Sequence, residues 1–213
     1  MLKNKETGDK RVKVSYEIVV EDKNGKKLKS VKSEARSLLR NFLEWIASGL
    51  FTQARGLTDT GGISQIISAY IEPTQGVSVE LINMDCEADA GNDDYGIVVG
   101  VGSDPVSPSD YALSSKIAHG TASGQLQYGS CSFEVLETVG QTVSAKVKRA
   151  FTNGSGADIT IYEIGLICKW YKKVGATEEG VWYFLMIRDV LATPVTVPDG
   201  ATLTVRYIIQ VTA

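Results

Sequence analysis

The segment Asp85-Cys-Glu-Ala-Asp-Ala-Gly-Asn-Asp-Asp94 holds five carboxylates and no base. Oxygen donors at alternating positions beside a glycine are what a hard cation such as calcium takes. The order departs from a helix–loop–helix calcium site, because the sixth place is not glycine and the twelfth is Gly96 rather than glutamate. Loop 83–95 therefore reads as a solvated acidic loop, with calcium as the alternative. A nucleophilic triad would have to use His119, the single histidine, and no nucleophile elbow surrounds the serines, Cys131 or Cys168. His119 reads as a structural or loop residue. The run Gly96-Ile-Val-Val-Gly-Val-Gly102 misses the GxGxxG spacing, and Pro105 and Pro108 stand where a phosphate-binding helix would begin. Cys86, Cys131 and Cys168 lie far apart in sequence and form no CxxC, so each reads as a small buried hydrophobe, with no disulfide framework or zinc site. Catalytic, cofactor-binding and metal-ligating residues are accordingly assigned as none, no cofactor is expected, and the chain is expected not to be an enzyme.

Two further clusters point to binding. Trp170-Tyr171 and Trp182-Tyr183-Phe184 flank Lys172 to Gly180. Trp170, Trp182 and Tyr183 at a hairpin tip would suit a carbohydrate, although aromatics so placed are more often cross-strand packing pairs. Lys3, Lys5, Lys10, Arg11, Lys13, Lys26, Lys27, Lys29 and Lys32 crowd the first 32 residues, with Tyr16 the one interleaved aromatic. A stacking platform for single-stranded nucleic acid is not supported, so this is a solvated strand face or a dock for an acidic neighbouring subunit. Net charge is −3 over 213 residues, which leaves no overall footprint for nucleic acid.

These groups must be carried by strands. Val12, Val14, Tyr16, Ile18 and Val20 alternate with polar residues, Asn24-Gly25 supplies a hairpin turn, and Leu28 to Lys32 returns. Residues 33–51 change to three- and four-residue spacing through Ala35, Leu38, Leu39, Phe42, Leu43, Ile46 and Leu50, opposite Arg36, Arg40, Asn41 and Glu44. This predicts an amphipathic helix with Ser33 as N-cap, whose apolar face must pack on a sheet or on a neighbouring subunit. Strands are predicted over 63–72, 77–82, 96–102, 127–136, 142–151, 159–170, 181–190 and 201–212, with a helical turn after Ser109 and a turn-rich bridge from Pro194 to Gly200. Such spacing argues for an antiparallel sandwich or barrel.

The chain is 43% hydrophobic and 22% charged with 21 glycines, the composition of a globular protein rich in turns. No apolar h-region follows Met1 and no run approaches eighteen apolar residues, so neither a signal peptide nor a membrane span is expected.

Four segments in order carry a resemblance. Gly100-Val-Gly-Ser-Asp-Pro-Val-Ser-Pro-Ser-Asp-Tyr-Ala-Leu113 is similar to a G-x-G-(T/S)-x-x-P-x-x-x-D-x-A-L segment. Ile161-Tyr-Glu-Ile-Gly-Leu166 and Leu185-Met-Ile-Arg188 follow, then Val197-Pro-Asp-Gly-Ala-Thr-Leu-Thr-Val-Arg206. Over residues 96–213 the chain resembles tail-collar and tail-fibre β domains of tailed-virus (phage-like) virion structural proteins. The resemblance implies a structural subunit of a virus particle and no catalytic residues. Without a shaft beyond Ala213, it implies a compact tail, collar, baseplate or capsid-associated protein. The expected fold is mainly β, an antiparallel, jelly-roll-like β-sandwich with one amphipathic α-helix near the N-terminus. Residues 1–60 are expected to form a β-hairpin plus helix (an assembly arm or part of the same domain) and 61–213 the sandwich. The expected function is self-assembly and protein–protein contact in a virion assembled in the host cytoplasm, as a homo-oligomer with other virion proteins. The alternative is a receptor- or carbohydrate-binding module recognising a host-surface glycan.

Overall fold

A computed structural model of the chain describes residues 12–35, 37–51, 55–67, 79–174 and 177–212. In order these form β1 (Val12–Glu21), β2 (Lys27–Glu34), α1 (Arg40–Phe51), β3 (Arg55–Thr58), β4 (Ser64–Ile67) and β5 (Val79–Asp85). Then come β6 (Gly96–Gly100), β7 (Gln127–Val139), β8 (Thr142–Thr152), β9 (Ile159–Val174), β10 (Thr177–Val197) and β11 (Thr202–Thr212). The fold is mainly β, with antiparallel sheets in a sandwich-like arrangement and a single helix among the described residues.

The first sheet runs β2-β1-β11-β8-β7. Its opening hairpin turns where the sequence predicts: Gly25 sits at φ 77°, and Asp22 Oδ1 accepts the backbone N–H groups of Asn24 and Lys26. Period-two alternation puts Val14, Tyr16, Ile18 and Val20 on the buried face. Register then builds rows across the strands: Val20, Leu203 and Phe151; Ile18, Val205 and Arg149; Tyr16, Tyr207 and Val147. The N-terminal hairpin is thus bonded along its length into the sheet through β11.

In the second sheet β9 lies between β10 on one side and β5 and β6 on the other. Ile161, Ile164, Phe184, Ile187, Val195 and Val197 of this sheet join the core cluster formed with the first. Each fully buried large side chain contributes a gross ~1.5–3 kcal/mol. The sheet's outer β10 edge is bonded by the chain before the helix: Leu39 N–H donates to the Met186 carbonyl, and Arg188 N–H to that of Ser37.

That edge pairing corrects the helix prediction. Ser33 is a strand residue opposite Tyr16, Leu38 bridges Ile187, and α1 starts only at Arg40. Backbone bonds to β1 and β10 override the helical periodicity there. The helix is also rotated from its predicted orientation. Asn41, assigned to the polar side, is buried, because its amide donates to the Thr58 and Leu185 carbonyls and its Oδ1 accepts Thr58 N–H.

Smaller corrections follow the same logic. After Ser109 there is a turn rather than helix, closed by Asp110 N–H to the Ser107 carbonyl. Strand β10 continues through Pro194 to Val197 by way of an irregularity between Val190 and Val195, so the bridge is shorter than predicted. Strand β9 reaches Val174 and β10 begins at Thr177, so the predicted loop from Lys172 to Gly180 is largely paired strand. The predicted strands over 63–72 and 77–82 are seen as β4 and β5, the remainder lying outside the described residues.

Candidate functional site

Three of the motif segments, 100–113, 161–166 and 185–188, meet at one buried ion cluster. Glu163 on β9 is 0% exposed and Arg188 on β10 is 2% exposed. Arg188 Nε donates to Glu163 Oε2 at 2.8 Å, Nη1 to Asp110 Oδ2 at 2.8 Å, and Nη2 to the Asp104 carbonyl at 3.1 Å. The Glu163 carboxylate in turn accepts the N–H groups of Ser114 at 3.1 Å and Ser115 at 2.7 Å. Burial alone would lower the Arg188 guanidinium, but its hydrogen bonds to Asp110 and Glu163 outweigh that and raise it above its ordinary value.

The glycines of the same segments make room for the cluster. A Cβ on Gly100 would meet the Ser115 carbonyl at 2.5 Å and Glu163 Oε1 at 2.6 Å, and one on Gly102 would meet Glu163 Oε1 at 2.5 Å. Likewise a Cβ on Gly165 would meet Leu113 Cδ1 at 2.6 Å. The arrangement pins loop 101–116 onto the second sheet. A shallow cavity of about 360 Å³ lies over it, lined by Asp104, Asp110, Tyr111, Ser114 and Arg188 among others. With these carboxylate and guanidinium groups bonded to one another and to backbone, the cluster is built to hold the loop.

A second buried cation secures the acidic loop. Arg149 is fully buried on β8 and lies against the rings of Tyr128 and Phe151. Its guanidinium donates to the carbonyls of Gly129, Tyr95, Ile97, Asp89 and Asn92. Burial lowers its pKa. Three of those carbonyls, from Asp89, Asn92 and Tyr95, belong to loop 83–95, so Arg149 ties the backbone of the loop to β8. Among the described residues no group of three His, Cys, Asp or Glu side chains has metal-holding geometry.

Nearby, the Asp93 carboxylate accepts His119 N–H at 2.6 Å and pairs with Lys116 Nζ at 3.1 Å. Burial raises its pKa, but these bonds outweigh it, leaving Asp93 below the ordinary carboxylate value. His119 Nδ1 accepts Tyr128 N–H at 3.0 Å and the ring stands edge-on to Tyr128, a structural placement.

Trp170 and Trp182 are direct cross-strand partners with ring centroids 5.1 Å apart, and Trp170 is buried. Tyr183 stacks on Tyr95 at 5.9 Å, and Lys169 Nζ lies 4.4 Å from the Tyr95 ring centroid. Tyr183, Asp94, Lys116 and Thr60 line a cavity of about 210 Å³. Of the three aromatics considered for a ligand, Trp170 is occupied in packing and Tyr183 borders a cavity.

Among the described residues, α1 and the first sheet each expose apolar side chains. On α1, Leu43 and Leu50 stand one heptad apart, 60% and 72% exposed, so they share a face. On the first sheet, Val12, Val211 and Val143 form one cross-strand row, even in parity with the buried rows, yet are 68%, 49% and 40% exposed. Phe133, opposite Val147, is also exposed. These faces were not legible as exposed, because periodicity marks a residue as apolar-faced without saying whether anything covers it. Of the basic N-terminal cluster, Lys13, Lys26, Lys27 and Lys32 are exposed and Lys29 Nζ donates to the Pro194 carbonyl. Lys3, Lys5, Lys10 and Arg11 lie outside the described residues. No described helix is long and apolar enough to cross a membrane.

Neither a family model, nor a curated protein, nor a solved structure matches this chain.

Proposed function

We propose that this chain is a non-catalytic structural subunit of a virus particle, a tail, collar, baseplate or capsid-associated protein that works by self-assembly. The observation that carries the reading is the pair of uncovered apolar faces, Leu43 and Leu50 on α1 and the Val12–Val211–Val143 row on the first sheet. Apolar side chains that share an exposed face suit contact with another chain. The motif residues Gly100, Gly102, Asp110, Glu163 and Arg188 support it indirectly. They form a buried clasp, so the resemblance they carry concerns a scaffold, with neighbouring copies and other virion proteins as partners. Light-scattering mass combined with negative-stain imaging of the purified protein tests this: rings, tubes or shells are expected, and a soluble single chain contradicts it.

A second reading is a receptor- or carbohydrate-binding module. The cavity bordered by Tyr183, Asp94, Lys116 and Thr60 favours it, since an aromatic wall beside polar side chains suits a sugar. Glycan binding by the wild type that Tyr183→Ala abolishes, with Trp182→Ala as the companion variant, would select this reading.

A further inference from the structure

Cys86 and Cys168, 82 positions apart in sequence, are brought side by side by a bulge. In β5, Ile82 opposes Tyr171 and Asp85 opposes Lys169, so three steps along β5 match two along β9. Met84 within the bulge has φ 58°, the one non-glycine residue with positive φ among those described. Without the extra residue, Asp85 would face Cys168. With it, the register continued one position beyond the Asp85–Lys169 pair, where β5 ends, brings Cys86 opposite Cys168. Directly opposed residues of antiparallel strands have Cα atoms ~4.5–5.5 Å apart, inside the range a disulfide spans. Pairing along β9 resumes at Gly96 opposite Ile167, so Cys168 lies between the two ends of the loop that Cys86 begins.

We propose that Cys86 and Cys168 are a redox site that forms a reversible disulfide at the neck of the acidic loop. The loop leaves β5 after Asp85, opposite Lys169, and returns as β6 at Gly96, opposite Ile167, so the bond would close its base. Cys86 is the partly exposed member and Cys168 the buried one. Cys168 beside it lowers the Cys86 thiol, whereas Cys168 is raised by Cys86 and by burial. Cys86 is therefore the attacking thiolate.

With a small-molecule disulfide such as oxidised glutathione as the oxidant, the Cys86 thiolate attacks one sulfur and expels one glutathione thiolate. Cys168 then gives up its proton and attacks the Cys86 sulfur of the mixed disulfide, expelling the second. Two protein thiols are oxidised to one disulfide and one glutathione disulfide is reduced to two thiols. Cys131 belongs to the other sheet, paired with Arg149, and is not a cross-strand partner of either thiol. It is buried on β7, where its sulfur accepts Ile97 N–H at 3.4 Å. A chain assembled under reducing conditions and exposed outside the cell would thus gain a latch after assembly, but the redox site itself does not depend on the assembly reading.

The folded protein, incubated with oxidised glutathione and then denatured and alkylated, is expected to retain one free thiol of three. Peptide mapping should join Cys86 to Cys168, and dithiothreitol should restore all three thiols. Cys131→Ser should still form the bond, and Cys168→Ser should stop at a glutathione adduct on Cys86. Three free thiols after oxidation, or a bridge that includes Cys131, would overturn the proposal. Because the wild type alone gives the decisive reading, a variant that fails to fold does not obscure it.

Discussion

Arg188 and Glu163 sit in adjacent strands with Nε and Oε2 2.8 Å apart, neither side chain more than 2% exposed. Strands β9 and β10 place them, and the turn residues Asp104, Asp110, Ser114 and Ser115 complete their bonding. Removing one partner of such a pair strands the other charge in the interior. Glu163→Leu and Arg188→Met are each expected to lower unfolding free energy by about 3–5 kcal/mol in urea titrations, and the double variant Glu163→Leu/Arg188→Met to recover part of that loss. Equal and additive losses would mean that the ion pair is not coupled.

The clasp also fixes two glycines by space. A methyl group at Gly100 or Gly102 lands within 2.6 Å of Glu163 Oε1, which Ser115 N–H holds in place. Gly100→Ala and Gly102→Ala are each expected to cost about 1–3 kcal/mol by overpacking, read as a lowered thermal midpoint. An unchanged midpoint would show that loop 101–116 yields freely.

Arg149 has five backbone carbonyls around its guanidinium and no carboxylate among those partners. Arg149→Met is expected to destabilise the fold by at least about 2–3 kcal/mol, because several buried acceptors lose a charged donor at once. Millimolar calcium is expected to leave the wild-type thermal midpoint unchanged. A calcium-dependent rise, reversed by a chelator, would show that the acidic loop holds an ion.

Asp93 provides a pH test. Its folded pKa lies below the ordinary 3.8 despite burial, through bonds from His119 N–H and Lys116. A depressed carboxylate stabilises the fold above its unfolded pKa, and that contribution fades as pH falls through the folded value. The stability gap between wild type and Asp93→Asn should be constant above about pH 5 and narrow below it. A gap independent of pH down to acid unfolding would contradict this assignment.

The strands were legible because alternation reports on the backbone directly: Val14, Tyr16, Ile18 and Val20 alternate with polar residues and are buried. The start of the helix was not, since Ser33 to Leu39 carry helical spacing but lie against β1 and β10, whose open bonding groups no local pattern reveals. Asn41 was misassigned for a related reason, its carbonyl partners being Thr58 and Leu185. At the candidate sites, Glu163, Arg188 and Asp110 were singled out by motif alone, and their convergence depends on long-range strand order. The Cys86–Cys168 pairing was hidden by a one-residue bulge, which sequence spacing cannot show.

The central claim, assembly through uncovered apolar faces, is tested most directly by light-scattering mass of the wild type against Leu43→Asp/Leu50→Asp. Both side chains are exposed, so circular dichroism should show the variant folded. The wild type is expected at a multiple of 23.0 kDa and the variant at a smaller assembly or a single chain. A wild type found at the single-chain mass, or a variant that assembles as the wild type does, would contradict it.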